Sequence, residues 1–294
     1  MGILYATITV LAWGTWLIPS QNVKFSGQQV RVLYVAIANL LISGAVSATQ
    51  NWHELRGAGF WFPFIGGIVW ALGGWAAFTA AGKIGVVRAF GIWAPVNILV
   101  SIIFGAVLFH EFLSLNVRTT LVLGFSLVLI IAGVLLIIFS RGSSAEKATG
   151  ESVFLGVCCA VAAGVLWAAY YLPIKGLKAN LWLTSFPLAC GMFIGCAAIV
   201  LISRQSSKLP NRGAYLRAVC SGALWSLGNY GMLLLVETLG AGKGFTISQM
   251  SVAVNAICGI YVLKDPPPKT RAAHLALVGC IVATTGAIIL GRLK

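Results

Sequence analysis

Carboxylates are almost missing from this sequence: Glu54, Glu111, Glu146, Glu151, Glu237 and Asp265 are the six among 294 residues, against 20 lysines and arginines. Charged residues of both signs reach only 9%, where soluble domains carry about a quarter. With 59% hydrophobic residues and a mean hydropathy of +0.95, there is too little polar surface to cover a water-soluble globule. Histidine is scarcer still, since His53, His110 and His274 each stand alone near the end of an apolar run. No Ser/His/Asp set, H-E-x-x-H or phosphate loop can be assembled from what is present. An intramembrane enzyme stays as the second class of function, one that a repeat-matched pair of acids or histidines at one depth would have supported. Cysteine is absent from the first half. All seven (Cys158, Cys159, Cys190, Cys196, Cys220, Cys258, Cys280) fall in apolar runs of the second half, outside any close Cys/His cluster, and read as packing residues. Neither a metal nor a cofactor is expected.

Long apolar runs are what the chain does have. Stretches such as Leu121 to Phe139 and Ala272 to Leu290 have the length of about 19 residues that an α-helix needs to cross the hydrocarbon. Interruptions by charge, glycine and proline divide the chain into ten spans, near 3 to 19, 29 to 48, 59 to 81, 86 to 109, 119 to 140, 153 to 173, 181 to 203, 215 to 236, 244 to 263 and 272 to 291. The expected fold class is an all-α membrane protein of ten transmembrane helices, a multi-pass protein of the plasma membrane or, in a bacterium, the inner membrane. Met1 to Leu11 lacks the basic region and small-residue cleavage site of a signal peptide and runs directly into the first span. The net charge of +14 forms no single patch that would fit nucleic acid, because the cations fall between the spans, where they set orientation. Loops after odd-numbered spans hold most of them, including Lys24, Arg31, Lys83, Arg204, Lys208, Arg212 and Arg271. The positive-inside rule therefore puts both termini outside the cytoplasm.

The two halves echo each other. Trp13 and Pro19 are spaced as Trp167 and Pro173; Gly67, Trp70 and Gly73 match Gly222, Trp225 and Gly228; Gly85, Arg88 and Phe90 repeat as Gly240, Lys243 and Phe245. Residues 1–142 thus form a first five-helix repeat, 143–152 a linker and 153–294 a second repeat. An odd number of spans per repeat forces the second copy to cross the membrane upside down, the inverted plan of many secondary transporters. Exchanging the conformations of two such halves turns an outward-open state into an inward-open one, which is alternating access.

A transport site needs polar or aromatic groups at the depth of the bilayer midplane. The fourth span offers Trp93, Pro95 and Asn97, and the ninth Thr246, Ser248, Gln249, Ser251 and Asn255. From the third and eighth come Trp70, Trp75, Trp225, Asn229 and Tyr230, with Trp225 and Asn229 one helical turn apart and so on one face. Trp13, Trp16, Trp167 and Tyr170 extend the same wall. An aromatic ring gives an apolar C–H face a stacking surface, and an amide beside it gives a hydroxyl a hydrogen-bond partner, a combination that suits sugars and other neutral polar rings. The plainer readings are helix-to-helix hydrogen bonding for single polar residues and an interfacial belt for Trp52, Trp61 and Trp182. Gly191 and Gly195 form a G-x-x-x-G pair suited to close helix packing. Arg88 and Lys243 occupy equivalent helix starts, where they either snorkel to lipid headgroups or attract an anionic substrate. Coupling to a proton or a sodium ion is left open, with Glu237 and the span-end acids Glu111 and Asp265 as its carriers and a Glu237–Lys243 pair as the structural alternative. Oligomerisation is open as well.

These residues resemble the drug/metabolite transporter superfamily, within it the glucose/ribose porter branch of bacterial sugar uptake proteins. The runs Ile84-Gly85-Val86-Val87-Arg88-Ala89-Phe90 and Leu239-Gly240-Ala241-Gly242-Lys243-Gly244-Phe245-Thr246-Ile247-Ser248-Gln249 look like that branch's approach to its fourth and ninth helices. Leu108-Phe109-His110-Glu111, then Gly124 and Ala132-Gly133, is similar to the superfamily's acid closing the fourth span and glycines of the fifth. Asp265 stands near the equivalent acid, although Pro266, Pro267 and Pro268 depart from the usual spacing. The resemblance implies a central cavity lined by helices one to four and six to nine, with the fifth and tenth peripheral. It also implies a small-molecule substrate, a sugar or related neutral metabolite first, with organic anions, amino acids and nucleobase-like metabolites as alternatives carried by related branches. Cytoplasmic termini, frequent in such relatives, conflict with the charge count above.

Overall fold

A computed structural model describes the chain apart from residues 21, 85, 112–115, 141–149, 178–179, 263–266 and 293–294. Side chains at 54, 82, 86–88, 90, 91, 138, 140, 150–152, 176, 177 and 291 also lie outside the described residues. Asp265, the side chain of Arg88 and most of the expected linker therefore fall beyond description. Everything regular among the described residues is helical.

The first helix is α1 (Gly2–Thr15), followed by α2 (Gln28–Ser47), α3 (Ala58–Ile84), α4 (Val86–Phe109) and α5 (Val117–Ser140). The second half consists of α6 (Gly150–Ala169), α7 (Leu172–Leu177), α8 (Leu181–Ile202), α9 (Arg212–Leu239), α10 (Ala241–Ser248), α11 (Ser251–Tyr261) and α12 (Arg271–Arg292). Eight of the spans are long and apolar enough to cross a membrane, the sixth by running through α6 into α7. The other two expected spans are a shorter apolar helix, α1, and a broken one, α10 with α11.

Two helices stop earlier than the apolar runs suggest. The expected first and sixth spans reach residues 19 and 173, whereas α1 ends at Thr15 and α6 at Ala169. Each end lies four residues before a proline, Pro19 and Pro173. Proline has no N–H for the carbonyl four residues back, and its ring crowds that carbonyl, so both helices unwind at the same place relative to the ring. The ninth span, expected as one helix from 244 to 263, breaks at Gln249 and Met250. Starts are set by side chains where loops allow it. Asn180 accepts the Trp182 N–H at 3.0 Å ahead of α8, and Asn211 accepts the Ala214 N–H at 2.9 Å ahead of α9.

Packing arranges these helices in a closed ring. In order, α4 packs on α6, α6 on α3, α3 on α8, α8 on α2, α2 on α9, α9 on α1 and α1 on α11, while α10 returns to α4. Members of the two halves alternate all the way round. Outside the ring α5 and α12 pack on each other, α5 touching α4 and α12 touching α11. Backbones meet there, since a β-carbon at Gly279 would lie 2.6 Å from the Gly133 carbonyl oxygen. The G-x-x-x-G face of α8 lies on α3: a β-carbon at Gly195 would stand 2.6 Å from Ala71 Cβ.

Candidate functional site

Two tryptophans tie the ring together across its halves. Trp13 on α1 donates its indole N–H to the Trp225 carbonyl on α9 at 3.1 Å, and Trp167 on α6 donates to the Trp70 carbonyl on α3, also at 3.1 Å. Each indole lies on a glycine three residues beyond the accepting residue. A β-carbon at Gly73 would come within 2.6 Å of Trp167 Cδ1, and one at Gly228 within 2.6 Å of Trp13 Nε1. The matched tryptophans and glycines of the sequence are thus the parts of two equivalent clamps.

Between the clamps the rings converge. Trp225 is stacked on Trp13, with centroids 6.1 Å apart and planes at 26°, and meets Trp70 at 4.8 Å and 64°. Phe245 on α10 presents an edge to Trp13 and Tyr170 and stacks on Tyr171 at 4.9 Å. Tyr170 and Tyr171 reach this place because α6 unwinds at Ala169. The Tyr170 hydroxyl donates to Asn229 Oδ1 at 2.8 Å. Asn229 is fully buried, and its Nδ2 has no hydrogen-bond partner among the described residues. The same holds for Thr246 Oγ1, beside Phe245. A buried polar atom left unpaired costs about 1–3 kcal/mol, so such atoms mark places where a ligand or water completes the structure.

Trp13, Trp70, Tyr170, Trp225 and Asn229 therefore come together, joined by Trp167 through its clamp. Trp93 is buried one layer away, edge-on to Trp167 at 5.5 Å, and Asn97 on the same helix donates to the Gly164 carbonyl at 3.3 Å while its Oδ1 stays unpaired among the described residues. Gln249 stands half-buried at the break between α10 and α11, and Lys243 is half-buried within α10. Tyr230 turns away from the cluster to stack on Trp182 at 5.5 Å. Trp75 is 44% exposed and belongs to the outer surface. Glu237 is exposed near the end of α9, away from the central cluster.

Sequence reasoning passed over Tyr171 and Phe245 as members of this cluster, although Phe245 stands in the repeated motif. It also missed the partners of Glu111. This carboxylate, just beyond α4, holds Lys175 Nζ of α7 at 2.7 Å, accepts the Gly242 N–H at 2.8 Å and accepts the Ala241 N–H. The described residues also leave a groove of about 430 Å³ on the outside of the ring, lined by Phe62, Ile65, Ala169, Leu172 and Pro173. Its walls are apolar, as a lipid-facing surface requires.

The family model described as "Sugar transport protein" matches residues 4–293. A protein of Listeria monocytogenes named "Putative sugar uptake protein" is 30% identical over 302 residues, covering 100% of this chain and 99% of that one. A Bacillus anthracis protein of the same name is 27% identical over 296 residues, covering 100% of both chains. A crystal structure 17% identical in sequence matches the fold with a TM-score of 0.72, over 98% of this chain and 95% of the other.

Proposed function

Because the chain belongs to the sugar transport protein family, whose model spans residues 4–293, we propose that it moves a neutral sugar across the membrane by alternating access. The family and the eight apolar helices make it a multi-pass integral membrane protein, in the cell membrane of bacteria such as those of its relatives. Family and relatives point to a transporter and away from an enzyme. The observation that carries the sugar reading is the pairing of stacked indoles with Asn229, a buried amide whose nitrogen has no partner among the described residues. Stacking suits the C–H face of a pyranose or furanose, and a hydroxyl can both accept from that nitrogen and donate elsewhere.

An inverted repeat supports the alternating step. In favour of it stand the matched stops of α1 and α6, the reciprocal bonds of Trp13 and Trp167, and the alternation of halves around the ring. In this reading 1–142 and 153–294 are the two repeats, and Trp13, Trp70, Tyr170, Trp225 and Asn229 touch the sugar directly. Trp93, Asn97, Trp167 and Gln249 shape the wall, and Tyr230, stacked on Trp182, stands outside it. In this reading Arg88 and Lys243 do not contact the neutral sugar.

Thermal melting of the purified protein against hexoses, pentoses, their phosphates, amino acids and nucleobases tests this. A ligand at about a hundred times its Kd adds about 2.7 kcal/mol of stability, several degrees of melting temperature. A shift with a neutral sugar that disappears in Asn229→Ala is expected. Shifts confined to phosphorylated or carboxylate compounds would overturn the neutral reading.

A further inference from the structure

The ring member that closes on α4 is built unlike the others. α10 is 8 residues long and jointed at both ends. Gly240 before it has φ of 91°, where a side chain would be strained, and Gln249 and Met250 after it interrupt the helix. Beyond that break α11 turns to α1 and α12, so closure of the seam against α4 rests on α10. There the backbones nearly touch, since a β-carbon at Gly105 would stand 2.8 Å from the Gly242 nitrogen.

The fastening of this short helix comes from far away in the sequence. Glu111 accepts the N–H groups of Ala241 and Gly242 at the positive end of α10, and the same carboxylate holds Lys175, whose ammonium sits 4.5 Å above the Phe109 ring. One side chain thereby joins α4, α7 and α10. A carboxylate that only capped a helix would need the two N–H groups and not the lysine. Four crossings separate this junction from Met1, so it lies on the membrane face that carries both termini. Both ions keep some contact with the surroundings, Lys175 at 23% and Glu111 at 12% exposure, so water can receive them when they part. A pair buried completely would be far harder to separate. One turn inward from the fastening, Phe245 forms part of the aromatic cluster. Movement of α10 must therefore move a wall of the proposed sugar site.

We infer that α10 is a gate and Glu111 its latch, with Glu111 and Lys175 together sealing the central site from the termini face in the conformation described. The inference rests on the transport reading, because only a carrier needs that seal to break.

Accessibility decides it without any sugar. Ser101, fully buried on α4 one turn inward of Gly105, is replaced by cysteine in a background lacking the seven native cysteines, and a membrane-impermeant maleimide is added separately to each face of oriented vesicles. Labelling from the termini face should be slow with the latch intact. It should rise about fivefold or more in Glu111→Gln, where one ion is removed and its charge-assisted hydrogen bonds weaken, and by less in Lys175→Met, which leaves the carboxylate on the backbone N–H groups. Lys175→Met also serves if Glu111→Gln does not fold, which melting of each variant reports. Unchanged labelling in folded variants, or rapid labelling from that face with the latch intact, would overturn the gate. Either result leaves the sugar assignment standing, and failure of sugars to bind leaves this result readable.

Discussion

At the scale of single residues, the informative groups are those whose neighbours leave them no alternative. Gly73 and Gly228 exist for the indoles that lie on them, and a methyl group at either position has to push a tryptophan off its carbonyl. Gly228→Ala should therefore cost about 1–3 kcal/mol, through overpacking and a strained indole hydrogen bond, read as a fall in the melting temperature of the ligand-free protein. Gly73→Ala should cost a similar amount, because its clamp has the same parts. Melting unchanged in both would mean that the clamps carry no strain and the matched spacing has another origin. Lys243 separates a neutral substrate from an anionic one. With a neutral sugar, Lys243→Gln should leave the ligand-induced melting shift within about twofold in apparent affinity, whereas with an anion the removal of a charge-assisted hydrogen bond in a low-dielectric site would weaken binding by about tenfold or more. Trp70, Trp225, Asn229 and Tyr170 stood out in the sequence because the two tryptophans are matched between the halves, Asn229 lies one helical turn from Trp225, and Tyr170 shares a span with the matched Trp167. Phe245, Tyr171 and Lys175 did not, since an aromatic in an apolar run reads equally as core and a lysine at a span end reads as an orientation signal.

Elements show where apolar run length stops being a guide. Transmembrane length follows from hydrophobic thickness, so the long helices α2 to α5, α8, α9 and α12 lie where composition places them, within a few residues. Apolar character continues past Thr15 and Ala169, however, and only the i to i−4 rule for Pro19 and Pro173 explains the early ends. The break at Gln249 and Met250 has no such local signal, containing neither proline nor glycine, and arises where the span changes its packing partner from α4 to α1 and α12. The unwound turn after α6 positions Tyr170 and Tyr171. Pro173→Ala should let α6 run on into α7 and rotate Tyr170 off Asn229, weakening sugar binding by about tenfold, while stability without ligand holds or rises as a backbone hydrogen bond is regained. Binding unaffected by a continuous helix would remove Tyr170 from the site.

For the molecule as a whole, the ring order matters more than any single pairing. Each helix of the first half has its principal ring neighbours in the second half. The two halves of the sequence are therefore not two bodies in space. The consequence concerns biogenesis: as the chain is inserted into the membrane, the first five helices arrive without the partners that cover their polar and small-residue faces, and neither indole clamp can form until Trp167 and Trp225 have been made. The first half must wait as an open assembly of loosely associated helices, a natural substrate for membrane chaperones and proteases, and rescue comes with the second half and not with time.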